Sequence, residues 1–162
     1  MSVSSSSNPA RASRIAFIQS CWHREIVDQS RDAFLTELAE RGFDRANIEL
    51  FEVPGAFEIP FGIKSYWDAS KYKDDRPLAF IALGCVLRGD TPHFDYVCKA
   101  VTDGILQLNL SLPIPTIFGI LTVDNQQQAD ERIGGKHGHK GEEAAITALK
   151  MISVVQSFKK QL

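Results

Sequence analysis

The 162-residue chain has no long hydrophobic run, no marked excess of either charge and no even set of cysteines. Its longest nearly uncharged apolar stretch, Leu78 to Leu87, is about half of what a membrane-spanning helix needs. Eighteen Lys and Arg stand against twenty Asp and Glu, a formal charge of −2. A nucleic-acid surface calls for a basic excess or stripe. Neither a nucleic acid nor a membrane is therefore an expected partner. Cys21, Cys85 and Cys98 cannot all pair within one chain, and two of them lie inside apolar stretches. The expectation is a reduced, cytoplasmic compartment. Residues 1–13 are rich in serine, carry Pro9 and offer almost nothing to bury, so they read as a flexible arm. The arm lacks the apolar centre of a secretory signal peptide, although its serine-rich, acid-poor composition is shared with transit peptides.

What is present is enough apolar residue for one domain over 14–162; a chain of this length buries roughly 70% of its unfolded surface. Short apolar runs alternate with amphipathic segments. Strands are expected at 14–20, 47–53, 78–86 and 115–122, the second with a polar–apolar alternation. Helices are expected at 24–42, 56–70, 93–110, 124–132 and 142–158, with Gly42 and the Pro54-Gly55 pair as breaks. Residues 134–141 read as a glycine-rich break. This order predicts a three-layer α/β/α sandwich around a four-stranded parallel sheet. In such sheets ligands bind outside the carboxyl ends of the strands. Four segments are thereby singled out: 21–23, 53–58, 84–93 and 118–124.

The segment GCVLRGDTPHF (84–94) places Thr91 and His93 where a strand hands over to a helix. Helix N-termini favour anions, and an imidazole titrates near neutral pH. The bland alternative is a Thr91 cap, Pro92 at the first helical position and a surface histidine. The segment RIGGKHGHKG (132–141) gathers Arg132, Lys136, His137, His139 and Lys140 around four glycines, which suits a phosphate. A solvated loop is the competing reading. It is not a Walker A loop, and the spaced histidine pair lacks a third metal ligand, so no metal is expected. Glu58 either complements a helix dipole or accepts hydrogen bonds from a polyol. Trp22 reads more readily as core than as a stacking platform. Cys85, in an apolar strand, reads as an inert thiol. Phe118, assigned to the fourth strand end, lines a pocket or fills core. Together these segments describe one cleft with an aromatic wall, a carboxylate, a neutral-range base and an anion site.

Three motifs, VPGAFEIP (53–60), GCVLRGDTPHFDYV (84–97) and IPTIFGILTVDNQQQADERIGGKHGHKGEEAA (114–145), run in the order found in the lumazine synthase family, and the chain resembles that family over residues 14–157. The resemblance implies a flavodoxin-like fold and a role in riboflavin biosynthesis. The reaction it implies is condensation of 5-amino-6-(D-ribitylamino)uracil with 3,4-dihydroxy-2-butanone 4-phosphate. The products are 6,7-dimethyl-8-ribityllumazine, phosphate and water, and no cofactor takes part. It also implies residue roles. His93 matches the general acid/base, Arg132 the grip on the phosphate, and Asp90 with Thr91 its neighbouring donors. Trp22 matches the ring that stacks on the pyrimidine. His23 stands at a polar position near the ribityl chain that is often Asn. Ala56, Phe57 and Glu58 match the ribityl- and ring-binding turn. Cys85, Val86 and Leu87 match the strand end facing the pyrimidine. Phe118 matches an aromatic given by a neighbouring subunit, and Lys140 a lysine near both substrates. His139 stands where many relatives have Asn. The family forms pentamers with active sites between adjacent subunits, and some members close a 60-subunit shell. The loop Gly134 to Gly141, without an insertion, leans toward a shell, and Pro9 in the arm leans against one. Riboflavin synthase is a candidate partner. A binding module for a flavin or phosphosugar, and a purely structural shell protein, are the competing classes, since fold alone does not separate them.

Overall fold

A computed structural model describes residues 14–160; the expected arm at 1–13 lies outside them. Four strands, β1 (Ile15–Ser20), β2 (Ile48–Val53), β3 (Ala79–Leu87) and β4 (Thr116–Val123), form one sheet in the order β2-β1-β3-β4, with every neighbouring pair parallel. Strand β3 is buried along nearly its whole length, as a strand covered on both faces must be. Strand β2 alternates in burial because it is an edge strand, and its sequence alternates accordingly.

Helices α1 (Arg24–Glu40) and α5 (Lys140–Lys160) cover one face. Helices α2 (Ile59–Ser70) and α3 (His93–Ser111) cover the other. Alternate residues of the strands divide between two cores. Phe17, Ile81 and Leu83 pack with Phe34 and Leu38 of α1. Ile18, Phe80 and Ala82 pack with Ile59, Ile63 and Ile105 of α2 and α3. The three-layer α/β/α sandwich expected from the sequence is present.

Two segments differ from expectation. The helix expected over 56–70 is a 3₁₀ turn, Ala56–Glu58, followed by α2, whose second residue is Pro60. The glycine-rich segment after the short helix α4 (Gln126–Glu131) is a small antiparallel hairpin, β5 (Ile133–Gly135) and β6 (Gly138–His139). Gly141, just past the hairpin, sets the spacing of α1 and α5. A Cβ there would stand 2.0 Å from the carbonyl oxygen of Ser30, so only glycine lets the helices meet this closely.

The chain leaves β1 toward β2 on one side and later returns to place β3 on the other. The switch point of the sheet therefore lies between the carboxyl ends of β1 and β3. Among the described residues no helix is long and apolar enough to cross a membrane.

Candidate active site

A cavity of about 470 Å³ opens at this switch point. Trp22, His23, Ala56, Phe57, Glu58, Cys85, Val86, Leu87, Thr91 and His93 line it, ten of the residues singled out in the sequence. Each is put there by an element end. The Trp22 N–H donates to the Pro54 carbonyl at 3.2 Å, which ties the exit of β1 to the exit of β2. The Trp22 ring lies against the backbone of Gly55, where an added Cβ would come within 2.6 Å of Cε3 and Cζ3. This contact holds the ring outward. Trp22 is 62% exposed, so the reading of it as core is corrected: its position is that of a platform, not of packing.

Among the described residues His23 is the one non-glycine residue with a positive φ, 58°. Its carbonyl accepts the Ile26 and Val27 N–H groups and opens α1, and the residue lines the cavity. Glu58 accepts the Gly55 N–H at 2.9 Å, which fixes the carboxylate at the cavity rim. Both of its suggested roles, cap and polar wall, are thus geometrically compatible. Cys85 is buried, and burial pushes its thiol up to about 12, which leaves it protonated and inert at neutral pH.

Helix α3 begins at His93 itself, with Pro92 before it rather than as its first residue. The Thr91 hydroxyl accepts the His93 N–H at a long 3.4 Å. His93 is exposed in the first turn, where it faces the cavity. The loop that carries it is anchored by Arg88, a residue sequence reasoning passed over. The Arg88 guanidinium donates to Asp124 at 2.6 Å and to Asp95 at 3.5 Å, and its carbon lies 4.3 Å from the Phe94 ring centroid. Tyr96 and Val97, one helical turn along α3, also line the cavity and were missed.

Phe118, Arg132 and Lys140 line a second cavity, about 490 Å³, along the open edge of β4. Phe118 is the third residue of β4, opposite Ala82, not at the strand's end as the sequence suggested. Asp90 lines neither cavity. Within one chain, these segments do not form the one cleft they were read as. His93 lines one cavity, and Arg132 and Lys140 line the other.

Arg132 is not free. It meets Glu143 in a two-pronged pair at 3.0 and 2.6 Å and also donates to the His137 carbonyl. The guanidinium holds the Glu143 carboxyl below the usual carboxylate range by hydrogen bonding and charge. Guanidinium has five donors, so this pairing leaves others for an anion. Burial draws the Lys140 ammonium below its ordinary value, with Glu143 opposing the shift. Glu143 was missed because an acidic residue in a first helical turn reads as ordinary dipole complement. Among the described residues no group of three His, Cys, Asp or Glu side chains is placed to hold a metal ion.

A family model described as 6,7-dimethyl-8-ribityllumazine synthase matches residues 12–156. Proteins of that name resemble the chain over most of its length. The one from Parabacteroides distasonis is 45% identical over 139 residues, which covers 86% of this chain and 84% of its own. Those from Porphyromonas gingivalis (47% identical; 85% and 83% covered) and Bacteroides fragilis (42%; 91% and 99%) agree. The chain belongs to the 6,7-dimethyl-8-ribityllumazine synthase family, enzymes of riboflavin biosynthesis.

Proposed function

We propose that the protein joins 5-amino-6-(D-ribitylamino)uracil to 3,4-dihydroxy-2-butanone 4-phosphate and releases 6,7-dimethyl-8-ribityllumazine, inorganic phosphate and water. The observation that carries this reading is the cavity at the switch point, where an exposed Trp22, Glu58 and His93 converge in a chain of this family. Trp22 stacks on the planar pyrimidine. Glu58, with its second oxygen still able to accept, and His23 meet the ribityl hydroxyls. Backbone groups of Val86 and Leu87, at the end of β3, read the pyrimidine edge.

Arg132 and Lys140 hold the phosphate of the second substrate, aided by Thr91. Asp90 offers only its N–H, because its carboxylate would repel a phosphate. The amine of the pyrimidine forms a C–N bond to the butanone carbonyl carbon, and the carbonyl oxygen leaves as water. Loss of the proton at C3 then drives cleavage of the C4–O bond, whose electron pair leaves with the phosphate. The enol left behind becomes a C3 ketone bearing a methyl at C4. The ribityl-bearing nitrogen bonds to that carbonyl carbon, closing the ring and releasing a second water. His93 takes up and returns the protons these steps exchange. Most of the acceleration comes from holding the two substrates in register.

The two cavities of one chain do not merge, which supports a site shared between copies: the β4 edge of one subunit completes the switch-point cavity of its neighbour. Phe118, at that edge, is then an aromatic wall given across the contact. A pentamer, alone or within a larger shell, is the assembly this reading adopts. Residues 14–162 act as one domain within it, and the site needs no cofactor.

The test is direct. Assembled protein is mixed with both substrates and the absorbance of the lumazine is followed. Product formation supports the reading. Absence of product from correctly assembled protein overturns it in favour of a binding or shell role.

A further inference from the structure

We propose that His139 is a pH-sensitive positioning residue for the phosphate-binding half of the site, an inference that rests on the function proposed above. Its neutral ring holds the start of α5 against the β5–β6 hairpin, and its protonation releases that hold.

His139 immediately precedes Lys140, the first residue of α5. Its Nδ1 accepts the Gly141 N–H at 3.3 Å. That N–H belongs to the first helical turn and has no partner within the helix. The Lys140 N–H is already taken, donating to the Arg132 carbonyl at 2.7 Å. The other side of the ring lies over Gly134 in β5, where an added Cβ would stand 3.4 Å from Cδ2 and 4.0 Å from Nε2. His139 also pairs with Ile133, the residue after Arg132. One ring therefore touches both hairpin strands and the helix start, and the backbone that carries Arg132 and Lys140 is bound to the same unit. The side chain does not line the cavity, so it acts through those two cations.

The cap works in one protonation state only. A neutral imidazole has one donor and one acceptor nitrogen, and here Nδ1 is the acceptor. A second proton converts Nδ1 to a donor that faces the Gly141 N–H. It also places a positive charge at a helix N-terminus, where the dipole opposes it. The charged groups around the ring are Glu143 and the adjoining Lys140 on α5, and Arg132, which is paired with Glu143. Glu131 at the end of α4 is engaged by His137 at 3.6 Å. The α1 groups nearest to Gly141 are the Ser30 carbonyl and the Ala33 methyl. Gly141 cannot move to compensate, because α1 and α5 are in backbone contact there.

The experiment compares wild type, His139→Asn and His139→Ala from about pH 8 to about pH 5.5, across the range in which imidazoles gain their second proton. Asparagine caps a helix at any of these pH values, and alanine at none. The KM for butanone phosphate is read against kcat. Titration of the substrate phosphate is common to all three proteins, so each variant is read as a ratio to wild type. H139N is expected to match wild type at pH 8 and to escape an additional rise in KM, about fivefold, that wild type shows on acidification. H139A is expected to show that rise already at pH 8, with kcat little changed. Hydrogen exchange over residues 133–146, compared at matched pH, should follow the same order. An acid dependence in H139N equal to that of wild type, or an H139A indistinguishable from wild type at pH 8, overturns the proposal. If wild type forms no lumazine at any pH, the functional reading fails, and the exchange comparison alone then decides the role of His139.

Discussion

Removal of the Arg132 side chain gives the sharpest test of how the second cavity works. Arg132→Ala removes the charged donors assigned to the substrate phosphate. Hydrogen bonds to charged groups are worth about 2–3 kcal/mol, so KM for butanone phosphate should rise roughly 30- to 150-fold. Loss of the fold does not account for such a change. The Arg132–Glu143 pair is partly exposed, at 28% and 47% of the side chains, and pairs of that kind contribute about 1 kcal/mol or less to stability. The variant also leaves Glu143 unneutralised beside the incoming phosphate. At roughly 6 Å, two like unit charges repel by about 0.7 kcal/mol in water and about 3 kcal/mol near a protein surface. The half-exposed Glu143 belongs near the lower value. Adding Glu143→Gln to Arg132→Ala should therefore recover about threefold of the lost affinity. Steady-state lumazine formation, with each substrate varied in turn, reports both effects. An unchanged KM in the single variant refutes the phosphate assignment. A double variant no better than the single one refutes the placement of Glu143 beside the phosphate.

Three further outcomes follow from the geometry. His93→Ala should slow turnover by about a hundredfold or less, because proximity is retained; mixed and reassembled with Arg132→Ala chains, it should recover up to about a quarter of wild-type activity, the fraction of random subunit contacts that pair an intact His93 half with an intact Arg132 half. No recovery would count against a shared site. Gly141→Ala should lower stability by about 1–3 kcal/mol or more in chemical denaturation, since its methyl would meet the Ser30 carbonyl, and an unaffected midpoint would mean the helices separate freely. Cys85, with its thiol raised to about 12, should resist alkylation in the native protein at pH 8 and react once the chain is unfolded, as peptide mapping can read.

The architecture was legible because its signals are local. Buried strands such as β3 are continuous apolar runs, and the edge strand β2 alternates, so both declare themselves within a few residues. The β5–β6 hairpin did not, because strands of three and two residues carry no periodicity, and its pairing depends on glycines that also suit a loop. The exposure of Trp22 was misjudged for a similar reason. It is set by Gly55, thirty-three residues away, which the ring covers. The residues of the first cavity were found because they sit at strand ends meeting one switch point. The separation of Arg132 from His93 was not found, since strand order alone does not say on which side of an edge strand a later loop returns. Glu143 and Arg88 were hidden because their roles are pairings, invisible until the partners are placed.

The site shared between copies, as proposed above, has a consequence in mass action. An enzyme whose chemistry lies within one chain keeps its specific activity on dilution. A protein that shares its site between copies, with one half at the switch point and the other along a neighbour's β4 edge, does not. Under that proposal, dilution below the concentration at which copies part should lower the specific activity, because each chain alone carries only one half of each site. Catalytic competence is then a property of the population, and a dilution series carries information that no single-chain measurement holds.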